Sequence, residues 1–129
     1  MDEETMMQAS MIEREARQLE DNLQLIDSQI IELENFKISL SYFIKSKEKE
    51  MLCCLGKGVY IKSEVEDKGK LFVEVGAGII IKKSPEDALE VAGQQAERLQ
   101  NARKEILLRL NQYHAQLQDF ISSMNKEQL

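Results

Sequence analysis

Few side chains in this 129-residue sequence are of types that perform covalent or metal chemistry. The single histidine, His114, would need a nucleophile within hydrogen-bond reach to act as its base. The only thiols, Cys53 and Cys54, lie in a different part of the chain. Adjacent residues of a strand point to opposite faces, so this pair is poorly placed to share a metal or to close an ordinary disulfide; it reads as two small, half-buried apolar residues. Val75-Gly76-Ala77-Gly78 does not extend to a GxGxxG fingerprint and opens a strand, and Leu55-Gly56-Lys57-Gly58 lacks the spacing and the Lys-Ser/Thr ending of a P-loop. The carboxylates are spread among bases with no metal-ligand spacing. No catalytic, cofactor or metal site is expected, and the chain does not read as an enzyme.

What remains is the chemistry of adaptable apolar contact. Four of the six methionines, Met1, Met6, Met7 and Met11, fall in the first eleven residues, and Met124 lies near the other end with Phe120, Ile121 and Leu129. Methionine is unbranched and polarisable and suits surfaces that accept varied apolar partners. Met6, Met7, Met11, Phe120, Ile121 and Met124 are therefore candidate contact residues, provided that the fold brings the two ends of the chain together.

Two heptad tracts do that. Steps of three and four pick out Ile12, Ala16, Leu19, Leu23, Ile26, Ile30, Leu33, Lys37, Leu40 and Ile44, an average period of about 3.5 residues. A second series runs through Leu89, Ala92, Ala96, Leu99, Arg103, Ile106, Leu110, Tyr113, Leu117, Phe120 and Met124. Only Lys37 and Arg103 interrupt them. The second tract has a marked start: Ser84 can cap free amides, Pro85 suits the first helical position, and Glu86 and Asp87 favour the positive end of the dipole. Pro85 is the only proline, so nothing else breaks a long helix. Each helix would be roughly 65–70 Å long at the α-helical rise. Neither can stand alone with a bare seam, and an intramolecular antiparallel coiled coil covers both. Leu25, Ile31, Phe36 and Phe43 lie off the first seam and widen its stripe, as they would against more than one partner helix.

Residues 51–83 change character. Val59, Ile61 and Val65 alternate with polar or aromatic neighbours, as do Leu71, Val73 and Val75, which is the period of a strand. Asp67-Lys68-Gly69-Lys70 reads as a hairpin turn between them. Gly56-Lys57-Gly58 separates the run Met51–Leu55 from the second strand, and Gly76-Ala77-Gly78 separates the third from Ile79, Ile80 and Ile81. The expectation is four short strands in two hairpins. So little β structure leaves open edges and too small a core for independent stability. Val59, Ile61, Val65, Leu71, Val73, Val75, Ile79, Ile80 and Ile81 are the candidate oligomerisation residues.

The fold class is therefore mainly α with a small β region: one domain over 1–129, with a first helix in 1–50, two hairpins in 51–83 and a second helix in 84–129. The formal net charge is -6, which argues against nucleic acid as a partner. No stretch is long and apolar enough to span a membrane, and the acidic opening Asp2-Glu3-Glu4 is unlike a secretory signal, so a cytoplasmic location is expected.

This layout resembles the alpha class of prefoldin, in its archaeal form. The residues that carry the likeness are Leu55-Gly56-Lys57-Gly58-Val59-Tyr60, Asp67-Lys68, Val73 to Gly78, and Ile81-Lys82-Lys83-Ser84-Pro85-Glu86-Asp87-Ala88. Where family members often carry a proline before the first Gly-x-Gly, this chain has Cys54-Leu55. The resemblance implies a hexamer of two alpha and four beta subunits joined through their hairpins. Its clients would be unfolded or nascent proteins, held at the coiled-coil tips without ATP and passed to a group II chaperonin. A structural alternative is an alpha-like paralogue that assembles through its hairpins into filaments or a scaffold.

Overall fold

A computed structural model describes residues 2–127, with side chains through residue 126; Met1 and Leu129, named above among the terminal apolar residues, lie outside that range. The elements run α1 (Glu3–Lys45), β1 (Glu50–Gly56), β2 (Val59–Glu64), β3 (Leu71–Gly76), β4 (Ile79–Lys83) and α2 (Pro85–Glu127). Two long helices thus enclose, in sequence, two small antiparallel hairpins, as the periodicities require. The chain divides into two compact units, Met1–Glu32 with Ala96–Leu129, and Leu33–Gln95.

In the first unit the helices run antiparallel. Asp27 meets Arg103 at 2.8 Å and Glu20 lies 3.6 Å from His114, so partners ascend along one helix as they descend along the other. Apart from Met124, the seam residues of this unit are covered, with Ala16 at 4% and Leu110 at 5% exposure the most buried. Small side chains at such positions let the helix backbones approach. Arg103, the polar interruption of the second tract, is accounted for by this geometry: its guanidinium Nε–H donates to Asp27 across the seam. Both side chains are more than a third exposed, so the pair contributes only about 0.2–1 kcal/mol. Its main effect is on register, because sliding one helix by a turn would leave both charges unpaired beside apolar neighbours. The carboxylate of Glu15 holds the Tyr113 phenol above its ordinary value of 10.0, chiefly through their hydrogen bond and secondarily through burial.

Both helix starts are capped. Asp2 accepts a hydrogen bond from the Thr5 amide at 2.7 Å, and hydrogen bonds from Thr5 keep its carboxyl below the usual 3.8. Ser84 Oγ accepts from the Asp87 amide at 3.1 Å, and the Ser84 carbonyl takes the first helical bond from Ala88. Pro85 is buried beside it. Ser84→Ala should destabilise the start of α2 by about 1 kcal/mol; a urea titration that places the variant level with the parent would remove the cap from the account.

In the second unit Leu40, Ala88 and Ala92 are among the most deeply buried apolar residues. Helix α1 stops at Lys45, short of the expected boundary at 50. There the chain turns through Ser46, whose hydroxyl accepts from the Glu48 amide, and β1 begins at Glu50.

The strand pairing corrects one expectation. Among the described residues β1 pairs only with β2, and β3 only with β4. Asp67–Lys70 is therefore not a hairpin turn but the link between two hairpins. The hairpin turns are Lys57-Gly58 and Ala77-Gly78, because positive φ at both central residues (50° and 78° in the first, 50° and 75° in the second) matches the twist of paired strands. Asp67 instead folds the link on itself, accepting from the Gly69 amide at 2.8 Å. Val65, expected within the second strand, lies one residue beyond β2, where its amide bonds the Lys49 carbonyl at 2.7 Å.

Candidate functional site

Two surfaces carry the candidate residues, one in each unit. In the unit formed by Met1–Glu32 and Ala96–Leu129, the terminal turns of both helices present Met6, Met7, Met11, Ile121 and Met124 as large exposed apolar side chains, Met7 at 67%. Phe120 is half-buried, and with Ile12 it lines a shallow groove completed by Gln8, Gln116, Asp119 and Ser123. Met124 was expected to continue the seam, yet it remains 41% exposed. Exposed thioether and branched alkyl groups on the terminal turns, with a shallow groove lined mainly by polar side chains, offer soft apolar contacts rather than a shaped pocket.

In the unit Leu33–Gln95 the surface is built by the hairpins. Register places Met51, Cys53, Ile61 and Ser63 on one face of the first hairpin and Leu52, Cys54, Tyr60 and Lys62 on the other. The second hairpin places Leu71, Val73, Ile81 and Lys83 on one face and Phe72, Glu74, Ile80 and Lys82 on the other. Val59, Ile61, Val75, Ile79, Ile80 and Ile81 are all exposed, while Val65, Leu71 and Val73 are half-buried. Both faces of both hairpins are thus part apolar and open. Each two-stranded sheet also leaves an unpaired edge on each strand. A two-stranded ribbon is marginal in water, so these surfaces gain most from another chain's strands.

Two features were not read from the sequence. The hairpins are near copies offset by twenty residues: Leu55-Gly56-Lys57-Gly58-Val59-Tyr60-Ile61-Lys62 repeats as Val75-Gly76-Ala77-Gly78-Ile79-Ile80-Ile81-Lys82. The structure carries the repeat into the backbone, with Gly56 and Gly76 at φ 119° and 124° and a register shift at the same place in each strand pair. A self-comparison of the sequence would have found it. The second feature is Lys68, in the link between hairpins, whose ammonium reaches back to the end of α1. No spacing rule connects residues so far apart.

Of the groups considered for chemistry, His114 lies beside Glu20 on the helix pair, and Cys53 and Cys54 sit in β1 as free thiols. Among the described residues no three His, Cys, Asp or Glu side chains gather as a metal site, and no helix is long and apolar enough to cross a membrane.

One unit thus carries two hairpins with open β edges, and the other carries helix ends with exposed methionines. Residues 12–128 match the family described as Prefoldin subunit. Prefoldin subunit alpha of Thermofilum pendens is 25% identical over 116 residues, covering 89% of this chain and 90% of that protein. Prefoldin subunit alpha of Methanobrevibacter smithii is 23% identical over 109 residues, covering 84% and 72%. The cryo-EM structure of filamentous PFD from Methanocaldococcus jannaschii shares the fold, with a TM-score of 0.77 at 20% identity over 95% of this chain and 99% of that one. The chain belongs to the prefoldin subunit family, in its alpha type. That is a family of chaperones, not of enzymes, whose members assemble with other prefoldin subunits.

Proposed function

We propose that this chain is a subunit of an ATP-independent holdase that captures unfolded or nascent proteins at its paired helix ends and delivers them to a group II chaperonin. The observation that carries the capture step is the exposure of Met6, Met7, Met11, Ile121 and Met124 on the terminal turns of the two helices. Burial of one such side chain contributes about 1.5–3 kcal/mol, and association and ordering take back much of that. One subunit would bind weakly, and several displayed on one assembly would hold a client through avidity. The assembly is a hexamer of two alpha and four beta subunits formed through the hairpins, located in the cytoplasm, with no catalytic step of its own.

A second reading is self-assembly through the hairpins into a filament or scaffold. Two observations favour it: the two hairpins are near copies, so edges on successive molecules can be equivalent, and the structural neighbour named above is described as filamentous. Native mass spectrometry of the chain, alone and with a prefoldin beta-type subunit, separates the readings. A closed species with two copies of this chain and four of the partner supports the first. An open-ended series of this chain alone supports the second.

A further inference from the structure

The last turn of α1 has carbonyls with no helical partner. One of them, on Tyr42, accepts from the Ser46 amide. Two more acceptors, the carbonyls of Phe43 (3.3 Å) and Ser46, receive the ammonium of Lys68, which also lies 5.0 Å from the centre of the Phe43 ring. A cation here meets the negative end of the helix dipole, two carbonyl oxygens and an aromatic face at once. Lys68 is half-buried, and these partners are backbone and ring, not a carboxylate. It comes from the link Val65–Lys70, which is otherwise stiffened by the Asp67–Gly69 hydrogen bond and pinned at one side by the Val65–Lys49 bond. β3 starts at the next residue, Leu71. The ammonium therefore ties the entry of the second hairpin to the end of the helix.

We propose that Lys68 is a positioning residue for assembly: its charged cap on α1 fixes the angle at which the second hairpin is offered to another subunit. The proposal rests on the reading that the hairpins are the assembly surface. Among the described residues the second hairpin pairs with no third strand, so without this tie the entry to β3 is held only by the link's own turn and the Val65–Lys49 bond, and each docking event has to fix its angle again.

The test uses the full chain with Lys68→Met, which keeps the stem but removes the charge, and Lys68→Arg, which restores a cationic donor. Amide exchange and the concentration midpoint of assembly are read on both. Lys68→Met should speed exchange across 43–50 and 65–70 by about tenfold, since a hydrogen bond from a charged group is lost. It should raise the assembly midpoint by a similar factor while the melting of the helix pair stays put, and Lys68→Arg should recover most of both effects. Faster exchange with an unchanged midpoint would overturn the positioning role and leave Lys68 as a cap only. Unchanged exchange would overturn the contact itself. If the parent chain forms no oligomer alone or with a beta-type subunit, the assembly reading falls and the positioning role with it. The exchange rates still report on the cap, so the two failures are told apart.

Discussion

A chain in which residues 51–83 are replaced by a short turn should remain helical and lose its oligomer. The helices carry their own seam, and the pairs Asp27–Arg103 and Glu20–His114 that align them lie outside the deleted segment. The hairpins, by contrast, are two ribbons with exposed apolar residues on both faces, such as Tyr60 and Ile61 in the first and Ile80 and Ile81 in the second. Burial of even a few of these at about 1.5–3 kcal/mol each outweighs what rim charges such as the exposed Glu50–Lys62 pair (3.0 Å) can add. The deletion should therefore shift the dissociation midpoint by several orders of magnitude rather than by a few fold. Multi-angle light scattering gives the mass directly, with circular dichroism as the control for helix content. The same oligomer from the deleted chain would assign assembly to the exposed helix residues Leu25, Ile31, Phe36, Ile38 and Tyr42 instead.

The second large effect is expected at the helix ends. Changing Met6, Met7, Met11, Ile121 and Met124 together to serine should abolish holding of an unfolded protein and leave assembly intact, since none of these residues belongs to the hairpin unit. All five are already exposed, so the change removes little that the folded chain needs. Single substitutions should weaken holding by a few fold at most, because each is one of many weak contacts repeated over several subunits. Full suppression of aggregation by the fivefold variant would move client contact elsewhere on the helices.

Much of this molecule was legible because long helices write their packing into a short period. All ten residues of the first seam are covered to some degree, Lys37 included, and ten of the eleven in the second. Ser84 caps α2 as its position before Pro85 implies. The hairpin count was also legible, since Gly-x-Gly marks each turn. The role of Asp67–Lys70 was not. Asp-x-Gly is good turn chemistry wherever it stands, and only the strand pairing shows that this turn links two hairpins instead of closing one. Val65 was misplaced for a related reason: alternation continues past Glu64 although the ladder does not. Lys68 was invisible because its partners, the carbonyl and ring of Phe43 and the carbonyl of Ser46, lie 25 and 22 residues back in the chain, and a lysine in a polar loop carries no sign of them. The off-seam residues split. Phe43 is half-buried under the Lys68 ammonium, whereas Leu25, Ile31 and Phe36 stay exposed in this chain. Partners for them are not written in the sequence.

The most direct measurement is light scattering from a chemically unfolded protein diluted, without nucleotide, into buffer containing this chain, a prefoldin beta-type subunit, or both in a ratio of one to two. Little protection is expected from either alone, where few helix ends can engage one client, and near-complete suppression of aggregation from the mixture at stoichiometric amounts of hexamer. A mixture that assembles and yet lets the client aggregate as fast as buffer alone would contradict the holdase reading.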